Sequence, residues 1–512
     1  MLRVLRLADA SLWGDEMMTA LYALGLGPAS LEPQGLIDRA RLEALLQWHP
    51  ATLGSITDAM IGTSTHPPLF FWFMHAWLGV TFGGDGWQLE WLLRLPSALA
   101  GTLLILMGYH LARRAWPDDG AWPALATAAI VAVSPMAVYV SREARAYSAA
   151  GLLMTAGLIA LVTVLRRAAD GETIGWGAPL AWVASAALGF YTHYLCVVAF
   201  AAQGAAAAWL GWRVARGSRR RILTMCAVSA AAVVLLSAPW TGVLIRHAGL
   251  PSAQWAGQSG GWLARALTPL AAAGSALTVF AAAPFRSGAT TAGLIMAAGS
   301  VAVLAWALHP CARRLKPKNP DLATAVFKTV SLLSVIGLVS ASLALDMRLS
   351  EIPRYFFVLL PALPAAVAGC LRRVDVERRR RSLGALVAVG IAGSLIVVAG
   401  QAIETPLQPD ETAARLRAAD AGTNLVIWPS GSGVGLSLAR PLVRADGEGG
   451  VIFNRGREAS RATIDIVRAA RHPVNVWIEG AIDPSPLDAA GCRTTGVRLR
   501  ISGKGLVHVT CP

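Results

Sequence analysis

Charge is scarce in this 512-residue chain. Asp, Glu, Lys and Arg together make up 15% of it, and acidic residues number only 30; soluble domains carry about 25% charged residues. Cysteine is scarce as well, and six residues exclude a disulfide scaffold for a chain this long. Cys196, Cys226 and Cys370 lie in apolar stretches and Cys311 in a basic one, where they read as packing or surface residues. Cys492 and Cys511 bracket the last hairpin-like segment and form a candidate pair if the tail faces an oxidising compartment.

Apolar residues, by contrast, make up 55% of the chain and are gathered into long runs. Leu92–Ala112, Ala121–Val140, Tyr147–Leu165, Trp176–Thr192, Tyr194–Trp212 and Ile222–Ile245 form one series. Thr290–His309, Ala325–Leu345, Pro353–Leu371 and Leu383–Gln401 form a second. Most approach the roughly 20 residues needed to cross a hydrocarbon core. The expectation is an all-α polytopic membrane protein with about ten spanning helices.

The net charge of +15 would suit nucleic acid, but its distribution excludes that partner. Basic residues cluster in short loops between spans: five Arg in Arg213–Arg221, four Arg or Lys in Arg313–Lys318, six Arg in Arg372–Arg381. Such loops are expected on the cytoplasmic side. Two crossings then separate Arg221 from Arg313, so Trp262–Phe285, with Arg265, Pro269 and Pro284, is expected to skim the outer face. Counting backward places Arg166–Arg167 and Arg113–Arg114 inside, Ser141–Ala146 outside, and everything before Leu92 outside. Pro67–Phe82 then cannot cross and reads as a juxtamembrane helix with its Pro pair at the N-terminus. A first transmembrane helix is expected before Asp9, and Leu2–Ala10 is too short to supply it; a misassigned start is the favoured reading.

Three domains follow: 1–91 as a first outer loop with juxtamembrane helices, 92–402 as the transmembrane part, and 403–512 as a small outer α/β domain. In the last, helix-like runs at Asp410–Ala421 and Ala459–Ala470 accompany strand-like runs at Asn424–Trp428, Val474–Ile478, Val497–Ile501 and Leu506–Thr510. The stretch Gly431-Ser432-Gly433-Val434-Gly435 reads as a flexible connection or a phosphate cradle, the former favoured.

Charge near a membrane is costly, so charged groups at span ends are informative. Trp13-Gly14-Asp15-Glu16 offers paired acids, either solvated interface charges or a general base facing a cavity. His66-Pro67-Pro68-Leu69 opens the juxtamembrane helix, where free amides and an imidazole suit an anion. Ser141 through Tyr147 sets Arg142 and Arg145 on the predicted outer face, against the positive-inside bias; Arg145, two residues before a span, is a candidate phosphate ligand. Glu351-Ile352-Pro353-Arg354-Tyr355-Phe356 places another Arg at a span mouth, as an interfacial anchor or a ligand. Tyr191-Thr192-His193-Tyr194 sits in a tight outer turn and reads as an aromatic belt rather than as hydrogen-bonding groups. Two acids and several arginines at one face suit sugar transfer from a polyprenyl-phosphate carrier. An acid takes the acceptor's proton and cations stabilise the departing phosphate.

These motifs, with Arg94 in Leu93-Arg94-Leu95-Pro96-Ser97, occur in the order seen in protein mannosyltransferases. Bacterial relatives of glycosyltransferase family 39 and the lipid A aminoarabinose transferases share much of the pattern. The resemblance spans roughly residues 9 to 370. It implies a GT-C fold with a large first outer loop, Asp15 as catalytic base and Glu16 as its acidic partner. It also implies His66, Arg94, Arg145 and Arg354 at the lipid phosphate, with Tyr147 nearby; His66 stands where the lipid A enzymes carry Lys. The C-terminal domain does not resemble the repeat domains of protein mannosyltransferases. The expected reaction moves a sugar from polyprenyl phosphate to a glycan, lipid or protein acceptor on the periplasmic face of a bacterial inner membrane. No cofactor is expected and no metal site is assigned, since two carboxylates are fewer ligands than a divalent cation collects. The alternatives are a lipid-linked glycan flippase, which would need midplane polar groups and usually a repeat, or a non-catalytic assembly protein.

Overall fold

A computed structural model describes residues 1–512 apart from 28–29, 31–34, 215–218, 249–260, 283–290, 314–320, 401–407, 420–422, 430–432, 447–448, 455, 457, 471–473, 481, 502–503 and 512. Much of the Arg213–Arg221 and Arg313–Lys318 loops, and Gly431–Ser432, therefore lie outside the described residues. The chain forms two compact units: Met1–Leu5, Ser64–Phe70 and Leu95–Ile403 in one; Arg6–Thr63, Phe71–Arg94 and Glu404–Pro512 in the other. The units divide at Arg94/Leu95 and Ile403/Glu404, near the boundaries expected at 91/92 and 402/403, and residues 1–94 are shared between them.

In chain order the helices are α1 (Gly14–Ala23), α2 (Arg39–Leu45), α3 (Leu53–Thr63), α4 (Leu69–Thr81), α5 (Leu89–Ala115), α6 (Trp122–Val133) and α7 (Pro135–Ser141). There follow α8 (Tyr147–Ala169), α9 (Gly177–Thr192), α10 (Cys196–Val214), α11 (Arg219–Ala248), α12 (Trp262–Leu277), α13 (Thr291–Arg313), α14 (Leu322–Ala344), α15 (Leu363–Leu371) and α16 (Val376–Val398). The last three are α17 (Pro409–Ala419), α18 (Gly433–Asp446) and α19 (Arg461–Ala469).

The helical unit matches the apolar runs closely. Among the described residues six helices (α5, α8, α11, α13, α14 and α16) are long and apolar enough to cross a membrane. Two bent pairs join them: α6 with α7 at 58°, and a 3-10 turn over Pro353–Leu359 with α15 at 57°. The two remaining runs are the helices α9 and α10, separated only by the turn at His193. Trp262–Phe285 gives the 16-residue α12, short of the roughly 20 residues a crossing takes. Trp262, Leu263, Leu267 and Leu270 are exposed on it. The chain is thus a polytopic, mainly helical membrane protein with a small C-terminal sheet domain.

The bend at Ser134–Pro135 has a local cause. Pro135 has no amide to give, and Ser134 caps α7 by accepting from Ala137 N at 3.2 Å. Groups freed by the break find protein partners, as lipid-embedded backbone must: Ser134 Oγ donates to Val279 O at 2.6 Å, and Met136 N to Thr278 O at 3.2 Å.

Sidedness also shows in the ion pairs. Arg372 binds Asp119 at 2.6 Å and Asp321 at 2.8 Å, while Arg373 reaches Asp321 at 3.1 Å. Arg166 donates to Arg114 O at 2.8 Å. The charge pattern assigned these segments to one side, and they meet at one end of the unit. Asp321 also caps α14 through Thr324 N. Burial pushes its pKa up, but hydrogen bonds from Thr324, Trp116 and Arg372 prevail and lower it.

In the other unit a six-stranded sheet runs β1-β3-β2-β4-β6-β5, formed by β1 (Gly35–Ile37), β2 (Thr423–Pro429), β3 (Gly450–Asn454), β4 (Val474–Glu479), β5 (Arg493–Ile501) and β6 (Lys504–Cys511). β3, β2 and β4 are parallel, joined through α18 and α19, and their strands are almost wholly buried. Such strands read as continuous apolar runs. The edge strand β1 comes from the first loop and pairs antiparallel with β3, Leu36 opposite Ile452. Cys492 and Cys511 are joined as a disulfide across the last hairpin.

Candidate functional site

Within the helical unit, five chain regions meet around His66. His66 lies just before Pro67-Pro68 and α4, Arg145 in the bend between α7 and α8, and Tyr147 at the start of α8. His193 fills the turn between α9 and α10, His247 ends α11, and Arg354 opens the 3-10 turn. Arg145, Tyr147, His193, His247 and Arg354 are all buried. The rings of Tyr147 and His193 lie 5.1 Å apart, those of His66 and His193 6.0 Å, and each of Tyr147 and His193 stands 5.2 Å from Phe357.

Hydrogen bonding fixes the proton positions on two of these imidazoles, His66 and His193. Arg145 Nη2 donates to His66 Nε2 at 2.5 Å. A guanidinium has only donors, so that nitrogen accepts and the proton sits on Nδ1, 3.4 Å from Ser64 Oγ. Burial first, then the charges and dipoles of Arg145, His193, Arg354 and His247, hold the His66 pKa well below its ordinary value. His66 is therefore neutral, and it orients Arg145.

His193 Nδ1 accepts from Leu195 N at 3.2 Å, which leaves the proton on Nε2. Burial, Arg145 and Arg354, in that order, bring its pKa down to about 3. Tyr194 Oη accepts from Trp240 Nε1 at 2.7 Å and shares a hydrogen bond with His247 Nδ1 at 3.1 Å, in which either atom can donate. Both Nε2 atoms, of His193 and of His247, are buried without a hydrogen-bond partner among the described residues. Buried polar atoms are rarely left so.

Asp15, Glu16 and Arg94 belong to the other unit. Asp15 and Glu16 open α1, where acids suit the helix dipole. Glu16 is fully buried: its oxygens take Arg94 Nε at 2.8 Å and Nη2 at 2.6 Å, and Trp13 N at 3.4 Å. Arg94 also donates to the carbonyls of Leu7 (2.9 Å), Ala10 (2.8 Å) and Ser11 (3.3 Å). Arg94 was expected at the lipid phosphate, and its guanidinium here gathers the segment leading into α1. Asp15 is the more exposed of the two acids.

Among the predicted residues, the structure thus groups His66, Arg145, Tyr147 and Arg354 in one cluster, and Glu16 with Arg94 in another. His193 and His247 join the first cluster unforeseen. The available signal was His193 in a turn too short to need a titratable residue. Among the described residues no group of three or more His, Cys, Asp or Glu side chains is placed to hold a metal ion.

Residues 65–241 match the family model of dolichyl-phosphate-mannose-protein mannosyltransferases. No curated protein sequence matches the chain. Among solved structures, ArnT from Cupriavidus metallidurans in the apo state is similar at 13% identity, with 96% of each chain covered and a TM-score of 0.47. The oligosaccharyltransferase AglB from Archaeoglobus fulgidus, in complex with an inhibitory peptide and a dolichol-phosphate, is similar at 12% identity and a TM-score of 0.45, with 92% of this chain and 66% of that one covered. Residues 65–241, which carry His66, Arg94, Arg145 and Tyr147, are thus similar to the mannosyltransferase family, in keeping with the GT-C glycosyltransferase resemblance drawn from the motifs.

Proposed function

We propose that this protein transfers a sugar from a polyprenyl-phosphate carrier to an acceptor hydroxyl at the outer face of a bacterial inner membrane. The observation that carries the reading is the cluster in the helical unit. Two buried arginines stand with His193, whose Nε2–H has no acceptor among the described residues, and with His247, whose Nε2 is likewise buried without a hydrogen-bond partner among them. Buried donors beside buried cations form a receptor for an anion, and they favour one whose charge grows as a bond breaks. The family match supports a lipid-phosphate sugar as that anion's source.

In the reaction the acceptor oxygen attacks the anomeric carbon as Asp15 takes its proton. The bond from that carbon to the phosphate oxygen breaks, and polyprenyl phosphate leaves with the electron pair. Arg145, Arg354, His193 and His247 stabilise the leaving phosphate, Tyr147 packs beside it, and His66 orients Arg145. Glu16 is committed to Arg94, which leaves Asp15 as the base. The Cys492–Cys511 disulfide supports an outer placement of the tail, since such bonds persist in oxidising compartments.

The test is release of label from radiolabelled polyprenyl-phosphate sugars in membranes carrying the protein. Asp15→Asn is expected to lower turnover on the order of 10²- to 10⁴-fold, the usual worth of a general base, with donor KM little changed. A folded Asp15→Asn protein with full turnover would overturn the assignment.

A further inference from the structure

We infer that the C-terminal segment buttresses the acidic motif, with Asp410 a positioning residue for Asp15; the inference rests on the base role proposed above. It comes from how the residues just before Asp15 are held. Ser11 is gripped on every polar atom. Its amide donates to Asp410 Oδ2 and its hydroxyl to Asp410 Oδ1, both at 2.7 Å, while its carbonyl accepts from Arg94 Nη2 at 3.3 Å. Arg94 in turn holds Glu16, the neighbour of Asp15. Asp410 lies in α17, about 400 residues from the motif it clamps.

A second contact reaches the motif from α18. A Cβ added at Gly433 would sit 2.5 Å from Gly14 O and 2.7 Å from Met18 Cγ. One added at Gly14 would sit 2.8 Å from Val434 Cγ2. The first turns of α1 and α18 therefore touch backbone to backbone beside Asp15, and only glycine permits that approach. The glycine-rich stretch, read from sequence as a connection or a phosphate cradle, supplies a packing surface at Gly433. The grip on Ser11 and the glycine contact fix the helix start from two sides, and both originate after residue 403. The C-terminal segment thus sets the aim of the base.

The test measures initial rates with radiolabelled polyprenyl-phosphate sugars, together with hydrogen exchange at the amides of residues 11–17. Asp410→Ala and Gly433→Ala are expected to lower kcat on the order of 10- to 100-fold, the scale of small misplacements of a reacting group. Donor KM should stay within about twofold, because the donor-phosphate ligands proposed here lie in the other unit. Asp410→Asn, which keeps one of the two acceptors, should fall between, and exposed Asp465→Asn should match the unaltered protein. Exchange at residues 11–17 should quicken in step with the loss of kcat. Gly433→Ala improves helix propensity, so its defect would come from displaced α1 rather than from a weaker α18. If Asp410→Ala keeps full kcat and full protection while Asp15→Asn is inactive, the buttress is refuted and the base stands. If Asp15→Asn is active, the base is refuted, and the exchange data alone decide the buttress: faster exchange supports it and unchanged exchange overturns it.

Discussion

In the sheet-containing unit, the buried guanidiniums of Arg94 and Arg440 each rest on a carboxylate at 2.6 Å, Glu16 and Glu90 respectively. In the helical unit, buried Arg145 donates to the neutral imidazole of His66, and two more imidazoles nearby keep an Nε2 without a hydrogen-bond partner among the described residues. In the first arrangement each cation is matched by a carboxylate. Burial still acts on Arg440, bringing its pKa down to about 10 against the pull of Glu90. The second arrangement has donors in hand. The carboxylate pairs tie the chain together, whereas the binding role proposed for the second cluster rests on the imidazole Nε2 atoms of His193 and His247.

That contrast is testable, beginning with the largest effect. Glu16→Gln removes one partner of a buried pair and strands Arg94; a loss of about 3–5 kcal/mol of stability is expected. Thermal unfolding in detergent measures it, and joint replacement by Leu at Glu16 and Met at Arg94 should recover most of it. Arg354→Met should behave the other way. A fall in kcat/KM on the order of 10²-fold is expected, as for loss of a charge-stabilising donor, with a smaller loss of stability than Glu16→Gln brings. Arg354→Lys should not restore activity, because an ammonium lacks the planar fork. If Arg354→Met unfolds the protein as severely as Glu16→Gln does, the distinction between the two kinds of arginine collapses.

Smaller effects sharpen it. His193→Phe keeps the packing against Tyr147 and Phe357 but deletes the N–H, and should raise donor KM about tenfold, the worth of a hydrogen bond to a charged group. The last effect is on pH. His193 titrates at about 3 in the fold against 6.5 normally, so between those values the unfolded chain binds the extra proton. Its stabilising contribution is present above about pH 6.5 and is lost as pH falls toward 3. The slope is at most about 1.4 kcal/mol per pH unit for one group. Unfolding followed from pH 7 to 5 should show a shallower slope in His193→Phe than in the unaltered protein.

The membrane-spanning part was legible because each span is a contiguous apolar run, visible without any knowledge of its neighbours. The breaks were not. Ser134–Pro135 lies inside one run, and its bend is made tolerable by backbone groups at Thr278 and Val279, far away in sequence. In the C-terminal domain the strands β2, β4, β5 and β6 were foreseen, but β3 and α18 were not. Short β3 resembles a loop flanked by glycines, and the glycines opening α18 suggested flexibility. That β1 joins this sheet depends on a pairing no local pattern encodes. At the site, motif order pointed to His66, Arg145, Tyr147 and Arg354, which share one cluster. It did not reveal that Arg94 would be occupied by Glu16, nor that His193 would be more than a belt residue. Both facts depend on which partner is nearest in space.

The pairing of β1 with β3 also has a consequence in time. A ribosome adds roughly 5–20 residues per second, and β3 is made about 400 residues after β1. For some 20–80 s the strand at Gly35–Ile37 therefore exists with its sheet partner unmade, and α1 with neither Asp410 nor Gly433 against it. During that interval the nascent first loop has an open strand edge, which is a substrate for chaperones and proteases alike. Slowing elongation between the last span and β3 should lower the yield of mature protein more than an equal delay placed after β6.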